Sequence, residues 1–213
     1  MKKTIKIESP KIPLELESFS NIIEYIDENE IIEEKLVENI VIEDVKNNKV
    51  TINSCVFKNV IFKECDLKKI DLTDVLFENC DLSNVYFNSS GMYRVKFINC
   101  KLIGTRFSES VLKSVIFKEC LGRYANFSFS SFKGVSISGD FSEAVFQEVY
   151  NDKLELDSVN LNYSIFSGTS LKNVDFTSSN IEGMEVNIKD LKGGVFTVPQ
   201  ALELTKLMEI TIK

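Results

Sequence analysis

The chain has 213 residues, of which 44% are hydrophobic and 27% are charged, and its formal net charge is −7. This balance suits one globular or solenoid domain. The sequence contains no histidine, which removes the commonest general base and the histidine-dependent catalytic triads. It has no run of eighteen apolar residues that predicts a membrane span, and its start, MKKTIKIESPK, lacks the apolar block of a secretory signal. We therefore expect a cytoplasmic protein without a membrane partner.

Residues 1–35 show no sustained repeat. The stretch from Ile5 to Ile7 predicts a short strand, and a short helix with one apolar face is predicted from Ser18 onward, on the spacing of Phe19, Ile22, Ile23 and Ile26. We interpret residues 1–35 as a cap that covers the open edge of the domain that follows. The alternative is an arm that binds a partner.

A period of five residues organises residues 36–197. From Cys55 the chain reads CVFKN VIFKE CDLKK IDLTD VLFEN CDLSN VYFNS. The third residue of each five is Phe or Leu, and the first is small or β-branched. Five residues advance an α-helix by about 500°, so positions five apart do not share a helix face. An odd period also alternates sides on a strand.

The chain can bury this pattern only by turning a corner at every repeat. Four corners close a coil of about twenty residues, and the coils stack at the spacing of neighbouring strands, about 4.8 Å. We therefore predict an all-β solenoid of about eight coils with a filled core. Two phenylalanine columns are expected, one through Phe57, Phe77, Phe97 and Phe117, the other through Phe87, Phe107, Phe127, Phe146 and Phe166.

Three positions interrupt the repeat. Gly122 leaves a gap where a large apolar residue is expected, and the next core residue after Ile137 is Phe141, four residues on. This spacing predicts a one-residue deletion near Gly139, at a corner where glycine tolerates unusual backbone angles. Asn151 stands at a core position and marks a bulge or an exposed loop around residues 147–153.

All five cysteines occupy the first position of a repeat, namely Cys55, Cys65, Cys80, Cys100 and Cys120. Buried thiols behave as small apolar groups, and side chains stacked in parallel have poor disulfide geometry. Neither a CxxC motif nor a histidine is present. The cysteines are therefore interpreted as core residues in a reducing compartment, and we expect neither a metal site nor a cofactor.

Residues 198–213 leave the repeat. Pro199 suits the first turn of a helix of about ten residues, after which Ile210 and Ile212 alternate like a short strand. The helix has an apolar stripe, which caps the last coil and leaves surface for a two-fold contact with a second copy. The predicted dimerisation residues are Ala201, Leu202, Leu204, Leu207, Met208, Ile210 and Ile212.

Charge is uneven along the chain. Residues 50–135 carry 8 acids and 12 bases, whereas residues 136–199 carry 10 acids and 4 bases. The repeat places the acids of the second segment on outward positions, which makes them a candidate partner-binding surface. They are Asp140, Glu143, Glu148, Asp152, Glu155, Asp157, Asp175, Glu182, Glu185 and Asp190. Glu155 and Asp175 are predicted to stack one coil apart, an arrangement of like charges that disfavours the fold. An ordinary solvated acidic surface is the alternative.

The repeats CDLKK, IDLTD and CDLSN resemble the pattern A(D/N)LXX of the pentapeptide-repeat proteins. The resemblance covers about three-quarters of the chain and implies a right-handed quadrilateral β-helix. The C-terminal tail and the length resemble the quinolone-resistance branch of that family, the Qnr and MfpA type. This resemblance implies a non-enzymatic homodimer, joined through its C-terminal ends, that mimics DNA and binds no nucleic acid itself. Its partners would be DNA gyrase or topoisomerase IV, protected from fluoroquinolones.

Two features weaken a uniform DNA mimic. The middle coils are net basic, and no long loop interrupts the repeat. The alternative function is a pentapeptide-repeat scaffold that binds another protein and has no topoisomerase role, because the fold alone does not determine the function.

Overall fold

The computed structural model describes residues 6–19, 31–46 and 49–208 of the chain. The described residues form a β-solenoid of about seven turns, which confirms the predicted fold class with slightly fewer coils than expected. Its strands are β1 (Glu17–Ser18), β2 (Ile31–Glu33), β3 (Lys35–Glu38), β4 (Val41–Glu43), β5 (Thr51–Asn53), β6 (Val56–Lys58), β7 (Ile61–Lys63), β8 (Asp71–Glu78), β9 (Gly91–Ile98), β10 (Val111–Leu121), β11 (Ser131–Asp140) and β12 (Tyr150–Asn160).

The strands stack in parallel, in the order β1-β3-β6-β8-β9-β10-β11-β12, with β2 and β5 joining through β8 and with β4 on β7. Partners lie one coil, or twenty residues, apart, as in the pairs Leu72↔Met92 and Phe77↔Phe97. The coil has four faces, which we name by their core columns: face A contains Phe57, face B Phe62, face C Leu67 and face D Leu72. The chain passes through them in that order.

Left-handed residues make the corners. At the last position of most repeats φ is positive, for example 52° at Asn59, 53° at Asn79 and 49° at Asn99. This conformation is unfavourable for most residues, but asparagine tolerates it. The corner amides also bond along the solenoid axis: Asn59 Nδ2 donates to Asn39 Oδ1 at 2.9 Å, and Asn99 Nδ2 donates to Asn79 Oδ1 at 2.8 Å. The predicted corners are therefore present at most repeats.

The core consists of columns of rings. The centroids of Phe57 and Phe77 are 4.9 Å apart, and those of Phe97 and Phe117 are 5.0 Å apart with an interplanar angle of 5°. The second predicted column is stacked in the same way, at separations from 4.6 to 5.5 Å. Rings of the two columns meet edge to face. Offset stacking and edge contacts are the favoured aromatic geometries, so the spacing of the coils suits this core.

The predicted deletion lies between Ile137 and Gly139. The pair Phe117↔Ile137 is separated by twenty residues, but Cys120↔Gly139 by nineteen. Gly139 has φ of 113°, and a Cβ added there would lie 2.2 Å from the carbonyl oxygen of Cys120. Glycine is required here by both its backbone angle and the close approach of the neighbouring coil.

The second irregularity is a bulge and not a protruding loop. Phe132 pairs with Asn151, and Lys133 pairs with Lys153, so the register skips Asp152. The segment stays within β12 and remains paired to β11. The alternative of a bulge at Asn151 is thus the correct one.

The N-terminal segment follows the side of the solenoid before it joins the first coil. The backbone N–H of Lys11 donates to Asp74 Oδ1 at 2.8 Å, and Ser114 Oγ donates to the carbonyl oxygen of Lys6 at 3.5 Å. Strand β1 then pairs with β3 on face A. The repeat begins earlier than the predicted residue 36, because β2 already pairs with β5 on face D. The strand predicted at Ile5–Ile7 is absent over its described residues Lys6 and Ile7, and Ser18, the predicted start of a helix, ends β1. The rest of the predicted helix, from residue 20 onward, lies outside the described residues.

The C-terminal helix α1 spans Val198–Leu204, with Pro199 in its first turn, and a 3-10 turn continues over Thr205–Met208. Thr197 and Gln200 form a reciprocal capping box. Gln200 Nε2 also donates to the carbonyl oxygens of Phe176 and Ser179, at 2.7 and 2.8 Å. The helix is therefore fixed to the last coils by the same side chain that caps it. The predicted strand at Ile210 and Ile212 lies outside the described residues.

Candidate partner-binding surface

The acidic residues of the C-terminal coils spread over all four faces. The register places Glu155, Asp157 and Asp175 on face A, Asp140, Glu143 and Glu182 on face B, Glu148 and Glu185 on face C, and Asp152 and Asp190 on face D. The set therefore surrounds the solenoid and does not form one patch. The position of each acid within the five-residue repeat predicted that it points outward, but it did not predict which acids share a face.

Two of the predicted acids are engaged in ion pairs. Arg123 Nη2 lies 2.5 Å from Glu143 Oε1, one coil away, and Lys153 Nζ lies 2.8 Å from Glu155 Oε1. Exposed pairs of this kind contribute little to stability. They do reduce the negative charge that Glu143 and Glu155 present, so these two positions are weaker candidates than the sequence suggested.

Asp175 is held by its own turn. Its Oδ1 accepts hydrogen bonds from the Thr177 hydroxyl at 2.6 Å and from the Thr177 backbone N–H at 2.9 Å. These bonds, the hydroxyl first, lower the pKa of Asp175, because they stabilise the ionised carboxylate. The register also puts Asp175 one coil from Glu155, as predicted. The ion pair of Glu155 with Lys153 relieves the repulsion between the two acids.

Basic residues of the same coils lie on one face only. All four bases between residues 136 and 199, which are Lys153, Lys172, Lys189 and Lys192, belong to face D. Faces A, B and C of these coils carry eight acids and no base. The surface of these coils is therefore divided into three acidic faces and one basic face. Counting the charges along the sequence did not predict this division.

The five cysteines are buried free thiols, as predicted from their positions in the repeat. Each also donates a hydrogen bond to a carbonyl oxygen of the preceding coil, for example Cys100 Sγ to Phe77 O at 3.5 Å. Ser110 and Thr105 make the same bond from equivalent positions, at 2.8 and 2.7 Å. Burial raises the pKa of the Cys55 thiol to about 11, which keeps it protonated and unreactive at neutral pH.

The described residues contain no group of three or more Cys, Asp or Glu side chains that could hold a metal ion. Within the same ranges, no helix is both long enough and apolar enough to cross a membrane.

The C-terminal end does not expose all of its predicted dimerisation residues. Leu204 is buried against the core and Leu207 packs partly against it, so the apolar stripe of α1 faces its own solenoid. Ala201, Leu202 and Met208 remain exposed. Sequence periodicity missed Val195 and Val198 near the same end of the chain, which are also exposed, Val198 at 84%. An apolar end surface exists, but it is made by the opposite side of the helix.

Two models of pentapeptide repeats match the chain. The pentapeptide repeat region matches residues 70–140, and the model of eight pentapeptide-repeat copies matches residues 155–186. No curated protein matches the sequence at a significant level.

Solved structures with a similar coil include a trypsin-treated variant of QnrB1, described as a plasmid-mediated fluoroquinolone resistance protein, at 20% identity and a TM-score of 0.45. The match covers 82% of this chain and 99% of that one. HetL, a pentapeptide repeat protein involved in heterocyst differentiation regulation from the cyanobacterium Nostoc sp. strain PCC 7120, is 11% identical. Its TM-score is 0.48, and the match covers 84% of this chain and 94% of that chain.

Proposed function

Because the chain is a pentapeptide-repeat protein, with coils that continue in register beyond the matched repeats, we propose that it acts by binding a protein with its outer surface. The core is filled by stacked side chains, so the surface is what distinguishes one coil from the next. The proposed partner is a type II topoisomerase, DNA gyrase or topoisomerase IV. The chain would occupy the cationic surface that otherwise binds DNA.

The observation that supports this proposal is the segregation of charge in residues 136–199. Faces A, B and C carry eight acids without a base. Three adjoining anionic faces on a straight rod suit a cationic cleft that holds duplex DNA. Like DNA binding, such an association depends strongly on salt, because screening weakens the attraction between exposed charges.

The test is a gyrase supercoiling assay with and without ciprofloxacin. We expect the protein to restore supercoiling in the presence of the drug. Charge reversal by Asp157→Lys together with Glu185→Lys, on the opposite faces A and C, should weaken this protection by about tenfold or more, equivalent to about 1.4 kcal/mol of binding free energy.

The matched control is Glu38→Lys together with Glu64→Lys, which changes the net charge equally on exposed positions of the first coils. It should leave protection intact. An unmodified protein that neither binds gyrase nor protects it at low salt would contradict the topoisomerase assignment. That result would favour a scaffold for another protein.

A further inference from the structure

Face D carries a column of lysines that the proposed topoisomerase contact does not use. Lys113 pairs with Lys133, and Lys133 pairs with Lys153, in adjacent strands. The same position in the next two coils holds Lys172 and Lys192. We call these five residues the lysine ladder. At about 4.8 Å per coil the ladder is about 19 Å long.

The ladder departs from the way this solenoid arranges its other charges. Several other bases face an acid one coil away, as in Arg94–Asp74 at 2.5 Å, Arg123–Glu143 at 2.5 Å and Lys101–Asp81 at 3.5 Å. In the ladder Lys113 faces Lys133 and Lys133 faces Lys153 on paired strands, and Lys172 and Lys192 continue the row in the next coils. Like charges directly opposite on neighbouring strands destabilise a sheet.

The acids near the ladder neutralise it only in part. Lys153 is paired with Glu155, and the exposed Asp152 precedes it in β12. Asp190 shares a surface depression with Lys172, Lys189 and Lys192. Within residues 6–19, 31–46 and 49–208, however, no ion pair involves Lys113, Lys133, Lys172 or Lys192. Lys113, Lys133, Lys172 and Lys192 are therefore exposed cations, whereas Lys153 in the middle of the row is paired and its side chain is 27% exposed.

The surroundings of the ladder favour a phosphate backbone over a protein partner. Its neighbours on face D include the small residues Ser131, Gly134 and Ser170. Val111 and Tyr150 are exposed on the same face, at 43% and 65%, but Ser131 lies between them in the register. They therefore form no continuous apolar pocket of the kind that anchors protein interfaces.

Single-stranded nucleic acids need aromatic platforms for their bases. On this face Tyr93 is covered by Arg94 and Lys113, at 3.9 and 4.6 Å from its ring centroid. Tyr150 is exposed but lies three coils from Tyr93, so the two rings form no row of platforms.

We propose that the lysine ladder binds the phosphate backbone of duplex DNA without sequence preference. Lysine ammonium groups contact phosphates as flexible point charges, and duplex DNA presents one phosphate per about 3.4 Å of each strand. The chain would then carry two opposed surfaces, three faces that resemble DNA in charge and one that contacts it. This inference does not depend on the topoisomerase proposal.

The experiment measures binding of the full chain to a fluorescent random-sequence duplex of 30 base pairs by anisotropy, from 50 to 200 mM salt. We expect Lys133→Glu with Lys172→Glu to weaken binding by about tenfold or more at 50 mM salt. The slope of log K against log salt should fall in magnitude by about 1.8, the value for two lost phosphate contacts. Lys133→Arg with Lys172→Arg should retain binding.

The matched control is Lys69→Glu with Lys118→Glu, on exposed positions of faces C and A, and it should retain most of the binding. Equal losses in the control and the ladder variant would overturn the proposal, as would an unmodified chain that fails to bind the duplex at 50 mM salt. Displacement of the duplex by polyglutamate at equal charge concentration would also overturn it, since the ladder would then recognise any polyanion. Thermal melts of all variants separate lost binding from lost folding.

Discussion

At the scale of single residues, Gly122 and Phe141 show how one coil compensates for its neighbour. Leu82, Leu102 and Leu161 fill this column elsewhere. A Cβ added to Gly122 would lie 2.2 Å from Cε1 of Phe141, so the ring occupies the space that a leucine at position 122 would need. The gap recognised in the sequence is therefore filled in the structure by a larger residue in the next coil.

This exchange of volume leads to a prediction about coupling. Gly122→Leu alone should overpack the column, and Phe141→Leu alone should open a cavity, each lowering the free energy of unfolding by about 1–3 kcal/mol. The double variant restores a regular leucine column. Its loss should therefore be smaller than the sum of the single losses, by about 1–2 kcal/mol of coupling.

Urea unfolding of the four proteins measures this coupling. Ile181→Val, in the same column but two coils beyond Phe141, serves as the control, and its effect should add to that of Gly122→Leu. Strict additivity between Gly122→Leu and Phe141→Leu would show that the two side chains do not share space.

At the scale of elements, the N-terminal segment is attached to a largely buried ion pair. Arg94 Nε and Nη2 donate to the two carboxylate oxygens of Asp74 at 2.6 and 2.5 Å, and the Lys11 backbone N–H donates to Oδ1. Burial tends to raise the pKa of Asp74, but the hydrogen bonds from Arg94 and Lys11 outweigh it and lower the pKa. Asp74 therefore stabilises the fold when ionised and fixes the segment to the corner between faces D and A.

Because the pKa of Asp74 is lower in the folded state, the ionised carboxylate adds to the free energy of unfolding. This contribution is fully present above the ordinary carboxyl pKa of 3.8, and it is lost as the pH falls through the pKa of the folded state. Asp74→Asn should cost about 3 kcal/mol at pH 7, since Arg94 would be left without its partner. Below the folded pKa the variant and the unmodified chain should converge. Hydrogen exchange at Lys11 should accelerate in the variant.

Glu78→Gln is the control for this prediction. It removes an exposed contact with Lys58 at 3.8 Å, which contributes at most about 1 kcal/mol, and it should leave exchange at Lys11 unchanged. Unchanged protection of Lys11 in Asp74→Asn would show that the segment is held by other contacts.

The period of five was sufficient to predict the faces, the corners and the ring columns, because each is a local consequence of small and large apolar residues in fixed alternation. The deletion at Gly139 also followed from the shortened spacing to Phe141. The path of the N-terminal segment could not be predicted from the repeat, because it depends on single hydrogen bonds to Asp74 and Ser114, which are far away in the sequence. The lysine ladder was not predicted, because Lys113, Lys133 and Lys153 are twenty residues apart and become neighbours only through the register of the coils.

At the scale of the whole molecule, we propose that two copies associate through their C-terminal ends. The inner stripe of α1 is used within the chain, with Leu204 only 8% exposed. The outer side carries Val198, Leu202 and Met208, exposed at 84%, 54% and 51%. Exposed apolar side chains of this kind at the end of a solenoid are typical of an interface.

Leu202→Asp should therefore convert a dimer into a monomer without unfolding the coil, because the charge would be buried unpaired at the two-fold contact. Sedimentation equilibrium or light scattering at several concentrations measures the change, and thermal melts test the fold. Val41→Asp, at another exposed apolar position but in the first coils, should leave the dimer intact. A Leu202→Asp protein of unchanged mass would exclude this side of α1 as the contact. Leu204→Asp is unsuitable as a test, since it would destabilise the last coil regardless of association.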